Sequence, residues 1–157
     1  MRRYRCTRRG FSLLEVVIVV AIIAILAAIG IPRMSRGARG ASDSALTGDL
    51  ATLRNAIDLY AAEHTGAFPT AADINTQLTQ YTNISGVVSA SKDTTHIYGP
   101  YMRSIPPLPV GGKKGCSKIS DANAADVGWI YTVTDGTIKA NTADGEVDEA
   151  GKKYNTY

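Results

Sequence analysis

The chain has 157 residues, 45% of them apolar and 20% charged, with a net charge of +3. That is enough for one modest domain and an anchor. The positive balance has a single source, because residues 1–10 (MRRYRCTRRG) hold Arg2, Arg3, Arg5, Arg8 and Arg9 and no acid, leaving 12 of the 17 basic side chains against 14 acidic ones elsewhere. A basic tail could bind phosphates, but one this short beside an apolar run sets membrane orientation instead, so no nucleic-acid partner is expected. Cys6 and Cys116 lack metal-ligand spacing, and if the basic head is removed Cys116 stands alone and no internal disulfide is available.

After the head comes Phe11 to Ile31, a run whose helix would span about 31 Å, the thickness of a bilayer core. Val16 to Ile31 carries no charge. A helix satisfies its own backbone polar groups and can therefore lie in lipid. The upstream arginines would stay in the cytoplasm and direct the C-terminal part outward. A secretory signal peptide has a similar layout, and Ala27-Ala28-Ile29-Gly30 could pass for its cleavage site. That reading leaves Glu15 unexplained. A carboxylate near mid-bilayer costs about 2.5–3.5 kcal/mol, less towards the boundary, and calls for a partner. A cut between Gly10 and Phe11 would create one: an ammonium at Phe11, charged at neutral pH. When apolar helices pack side by side, Glu15 of one chain can meet the Phe11 ammonium of the next. The pair would fix axial register, because a subunit slid up or down leaves a buried charge unpaired.

Arg9-Gly10-Phe11-Ser12-Leu13-Leu14-Glu15, with its apolar run, resembles the N-terminal signature of type IV pilins and type II secretion pseudopilins. The resemblance implies that a prepilin peptidase cuts after Gly10 and methylates Phe11. It also implies that Glu15 is needed for filament assembly.

Pro32 follows the apolar run. With Gly30, Gly37 and Gly40 it weakens helix over residues 30–40, and a bend or melted patch is expected there. Arg33, Arg36 and Arg39 step by three along one face, suited to lipid headgroups or neighbouring acids. Residues 42–64 are helical by periodicity: Leu46, Leu50, Leu53, Ile57 and Tyr60 step by four, three, four and three. Thr65 to Thr70 end that helix. Thr70 with Asp73 has capping-box spacing, although Asp replaces the usual Glu or Gln, and it announces a short helix over about 71–81 carrying Ile74, Leu78 and Tyr81. LYAAEHTGAFPT resembles the passage in the major pseudopilin where a leucine-tyrosine helix end runs into a Gly-x-Phe/Tyr-Pro-Thr turn.

Residues 82–128 read as loop, with one short strand near Thr95–Tyr98. Their YGPYMRSIPPLPVGGKKG passage is similar to the Gly-Pro-Tyr segment and proline-rich turn of pseudopilins. Lys113 and Lys114 read as solvated surface. Trp129–Thr134 and Thr137–Thr142 flank Asp135-Gly136, the signal of a hairpin with a two-residue type I′ turn. That register sets Val133 opposite Ile138 and Tyr131 opposite Ala140. The face bearing Trp129, Tyr131, Val133, Ile138 and Ala140 is expected to cover the leucine stripe, since a lone hairpin is not stable.

No catalytic or phosphate-binding motif is present. His64 reads as a helix cap or surface residue, and the aromatic content is unexceptional. Asp144, Glu146 and Asp148 gather carboxylates in one loop without the EF-hand pattern. Major pseudopilins bind calcium in a C-terminal loop, so the resemblance makes calcium a candidate here, against a solvated acidic turn. AGKKYNTY departs from the family's form, which puts the ion in doubt.

The expected fold is α+β and pilin-like, a long N-terminal helix on a small antiparallel sheet. It divides into a cleaved leader (1–10), a transmembrane and filament-core helix (11–31), an amphipathic helical half (32–64) and a globular head (65–157). The resemblance implies a structural subunit, not an enzyme, needing no cofactor. It would sit in the bacterial inner membrane with its head in the periplasm, then enter a filament. Its partners would be further copies of itself, minor pilins, the prepilin peptidase, an assembly platform and an outer-membrane channel. Type II secretion, moving folded cargo, is one use. A type IV pilus for adhesion, motility or DNA uptake is the alternative.

Overall fold

The computed structural model describes residues 10–157, with the backbone alone at 31–36. The leader through Arg9 lies outside the described residues, as do the side chains of Pro32, Arg33 and Arg36. The chain forms two compact units, one ending at Ala38 and one spanning Arg39–Tyr157. Helix α1 (Leu13–Glu63) supplies residues to both.

In the first unit, α1 leaves its large side chains uncovered: Val16, Val19, Ile22, Ile25 and Ile29 are all exposed. The window Leu13–Gly30 is long and apolar enough to cross a membrane. Helical backbone continues through Pro32 and residues 30–40, so the melted patch expected there is helical in the single chain. Proline removes one intrahelical hydrogen bond, and turns already formed on either side carry the helix across it.

The second unit is built on the leucine stripe. Leu46, Leu50, Leu53, Ile57 and Tyr60 are buried in one cluster with Trp129, Tyr131, Ile138 and Ala140. Each fully buried large side chain is worth about 1.5–3 kcal/mol. After α1 the chain turns at Thr65, which takes φ 58, into α2 (Ile74–Thr79). α2 is shorter than the expected 71–81, because residues 71–73 form turns and Tyr81 enters a strand. Its cap is half of a capping box. The Asp73 N–H donates to the Thr70 hydroxyl oxygen at 3.3 Å, while the Thr70 N–H donates to Gln77 Oε1 at 2.9 Å. Asp is one methylene shorter than Glu, and the longer Gln77 from the next turn takes the reciprocal bond.

Strand β1 (Tyr81–Thr82) pairs antiparallel with β2 (Val88–Ser89). The strand expected near Thr95–Tyr98 reduces to a single bridge between Tyr98 and Thr82. A second sheet has the order β3-β4-β5, from β3 (Lys118–Ser120), β4 (Val127–Thr132) and β5 (Thr137–Ala140). β3 runs parallel to β4, so this sheet is mixed. A parallel neighbour normally needs a long crossover. Here β3 is three residues long, and the connection retraces only about 10 Å.

The hairpin pairs Trp129 with Ala140 and Tyr131 with Ile138, a register shifted by two residues from the one expected. A type I′ turn needs positive φ at both central residues. Gly136 has φ 69, but Asp135 is not among the residues with positive φ. The Asp135 carboxylate instead accepts from the Thr137 N–H and hydroxyl at 3.0 and 2.8 Å, closing a longer loop in which Val133 is exposed. A two-residue shift preserves which side chains face the core, whereas a one-residue slip would have inverted them.

The proline-rich passage is a loop, as expected, but a fixed one. Leu108 and Val110 enter the core. The Leu108 N–H donates to the Cys116 carbonyl at 2.9 Å, and the Trp129 indole N–H to the Pro106 carbonyl at 2.8 Å. Tyr131 is likewise satisfied, its hydroxyl donating to the Pro69 carbonyl at 3.0 Å. Asn75 on α2 clasps β3: its amide donates to the Ile119 carbonyl and accepts from the Ile119 N–H, each at 2.9 Å.

Candidate assembly site and the acidic C-terminal loop

Ser12 stands just before the first helical residue of α1, and its carbonyl accepts from the N–H groups of Glu15 and Val16 at 3.1 and 3.3 Å. Glu15 thereby falls in the first turn, where the exposed N–H groups and the helix dipole favour a carboxylate. Phe11 is 84% exposed. Phe11, just ahead of the helix, and Glu15 line a single groove with Val16, Val19 and Val20. Its walls are almost wholly apolar, so the carboxylate is the one charged feature that a packed neighbour would meet there.

Residues 5–31 match the family model described as the prokaryotic N-terminal methylation motif. The chain carries a type IV pilin-type prepilin N-terminus. No curated protein and no solved structure matches the chain. The motif ends at the last residue of the apolar run, so its identification rests on that segment. The prepilin has the α+β layout expected of a pilin-like subunit, and its apolar helix is consistent with membrane anchoring. The motif is that of a filament-forming structural subunit processed by a prepilin peptidase.

Elsewhere in the prepilin the structure redistributes the residues singled out by sequence. His64 is buried, not a surface residue. It stacks on Tyr60 at 3.8 Å, and its two ring nitrogens lie 2.8 Å from the Tyr60 carbonyl and 2.9 Å from the Asn83 carbonyl. It thus ties the end of α1 to the segment after β1. Cys116 is half-buried and free, with its sulfur 3.6 Å from the Ala125 carbonyl. His96 pairs with Asp93 at 2.8 Å on an exposed loop, and backbone N–H groups of His96 and Thr95 hold that carboxyl well below the usual carboxylate range.

The acids of the C-terminal loop point at three different sets of donors. Glu146 accepts from the Gly112 N–H and, at 2.8 Å, from the Ala143 N–H. Asp148 accepts from the N–H groups of Ala150 and Lys152 at 2.8 and 2.7 Å and from the Tyr157 hydroxyl, which holds its carboxyl below the usual range. Asp144 accepts from the Asn155 amide at 2.9 Å, with the Lys153 ammonium 3.9 Å away. Among the described residues no group of three or more His, Cys, Asp or Glu side chains stands together as an ion would require. Calcium takes six to eight oxygens on one centre. These residues do not fit it.

Sequence reasoning missed Asp43. This α1 residue accepts from the Tyr154 hydroxyl at 2.7 Å and from the Glu149 N–H at 3.3 Å. Burial, and then the Asp43 carboxylate, push the Tyr154 phenol up to about 12. The only sequence signal was a pair of tyrosines three apart in KKYNTY, with no indication of their partner.

Proposed function

We propose that the prepilin is cut after Gly10, methylated at Phe11 and assembled into a type II secretion pseudopilus whose growth moves folded cargo outward. The observation that carries this reading is the groove that holds Phe11 and Glu15 on an uncovered apolar helix. Before assembly, lipid covers that helix. In the filament, helices of other copies replace the lipid, and Glu15 of one subunit pairs with the new Phe11 ammonium of another. Leaving one partner of a buried pair alone costs about 3–5 kcal/mol, which is enough to reject a subunit out of register. Pro32 is the position at which the helix would bend as it enters the filament. The arginine head remains on the cytoplasmic side until the peptidase removes it, and the head domain lies outside.

The test has two stages. Intact-mass analysis of the mature chain should give a polypeptide starting at Phe11 with one added methyl group, and changing Gly10 should leave the unprocessed chain in the membrane. Glu15→Ala should be processed normally but yield few or no filaments; normal filament levels would sink the register argument. The LYAAEHTGAFPT passage favours a pseudopilus over a surface pilus. Deleting the gene should then abolish export of a folded protein. Loss of surface filaments or twitching with export intact would assign the chain to a type IV pilus.

A further inference from the structure

The loop in which the pseudopilin resemblance places calcium is built differently in this chain. Residues 146–154 form a small hairpin of their own. Val147 bridges Lys153, the Asp148 N–H donates to the Lys152 carbonyl at 2.9 Å, and the Tyr154 N–H donates to the Glu146 carbonyl at 3.1 Å. Two ammonium groups already serve it: Lys153 stands near Asp144, and Lys152 lies 3.6 Å from the centre of the Tyr157 ring. Its C-terminal end is fastened to α1 at two points. Tyr154 reaches Asp43, and Arg54 Nη2 donates to the Tyr157 carbonyl at 2.7 Å.

We infer that residues 144–157 form a metal-independent strap, in which tyrosine hydroxyls, backbone N–H groups and the Arg54 guanidinium hold the acidic segment against α1 in place of a divalent cation. Asp144, Glu146 and Asp148 each answer a separate set of donors, and among the described residues no three acidic side chains gather at a common point. The link to α1 joins Asp43 to Tyr154, 111 positions apart, through one part-buried hydroxyl and one carboxylate. A charged acceptor makes that bond stronger than a neutral one.

The experiment uses the full mature chain in detergent, so it does not depend on whether filaments form or which machine they serve. Thermal unfolding is followed by circular dichroism with millimolar calcium and with EDTA. The two midpoints should agree within about 1 °C, and terbium should show no tyrosine-sensitised emission. Tyr154→Phe should lower the midpoint by roughly 4–10 °C in both buffers. Asp148→Asn, which keeps the side-chain size, should lower it less. A calcium-induced rise of about 5 °C or more, or sensitised terbium emission, would overturn the inference. So would unchanged midpoints in both variants, since a strap held by these bonds must weaken when they are cut.

Discussion

Gly128 in β4 offers the sharpest test of how the head domain is packed. A Cβ on this residue would lie 2.0 Å from the carbonyl oxygen of Cys116 and 2.8 Å from its carbon, where real Cβ contacts essentially never fall below 3.0 Å. The obstacle is backbone and cannot swing aside. That carbonyl also accepts from the Leu108 N–H at 2.9 Å, so displacing it strains the proline-rich loop as well. Overpacking costs about 1–3 kcal/mol, and a lost backbone bond adds about 1. Gly128→Ala should therefore destabilise the head by about 2–4 kcal/mol and lower its unfolding midpoint by roughly 8–16 °C. Gly145→Ala is the control: nothing lies within 4 Å of the added carbon, and its φ is not positive. It should stay within about 0.5 kcal/mol of the parent. Trp129, the chain's single tryptophan, adjoins Gly128, so its fluorescence reports the transition at the site itself. A Gly128→Ala chain that melts with the parent would refute the close approach of β4 to Cys116.

Other outcomes follow from the same contacts. Asn75→Ala removes both bonds to Ile119, and should cost about 1–3 kcal/mol and speed hydrogen exchange at the Ile119 amide while leaving α1 amides protected. In acid, Asp148, Asp144 and Asp135 act together. Their folded carboxyls are held below the usual range by the Tyr157 hydroxyl, the Asn155 amide and the Thr137 N–H respectively. Their contribution is complete above about pH 4 and is lost as pH falls through the folded values, so Asp148→Asn should flatten the acid limb of a stability profile. In alkali, burial pushes Tyr131 and Tyr154 up to about 12. Their contribution is complete below about pH 10 and disappears as pH rises through about 12, which a denaturant series across that range would show.

The parts legible in sequence were those governed by local periodicity or by one short motif. The leucine stripe of α1 and the inward face of the hairpin follow from spacings of 3.6 and 2, and both meet in the core as expected, apart from Val133, which the longer turn leaves exposed. The hairpin register was not legible, because Asp135 could serve either a type I′ turn or the Thr137 bonds that it makes. β3 is three residues long and depends on a partner strand and on Asn75, which lies 44 positions away from Ile119. Asp43 and Tyr154 are 111 apart. Pairings at such distances leave no periodic trace. Of the candidate site, Gly10, Phe11 and Glu15 could be named because the motif packs them into six consecutive residues, whereas the true bonding of the acidic loop required knowing where the chain end folds back.

The Asn75 clasp has a consequence for crowding. A strand on the outside of a sheet offers unpaired backbone groups to any extended chain nearby. Here the amide of Asn75 occupies that rim on β3, and Arg54 Nη2 reaches the Ile138 carbonyl on the opposite rim at 3.3 Å. With Ile119 on one margin and the Ile138 carbonyl on the other engaged by the protein's own side chains, two copies gain less from zipping these sheets together. Association between heads is left to side-chain surfaces, which can separate again.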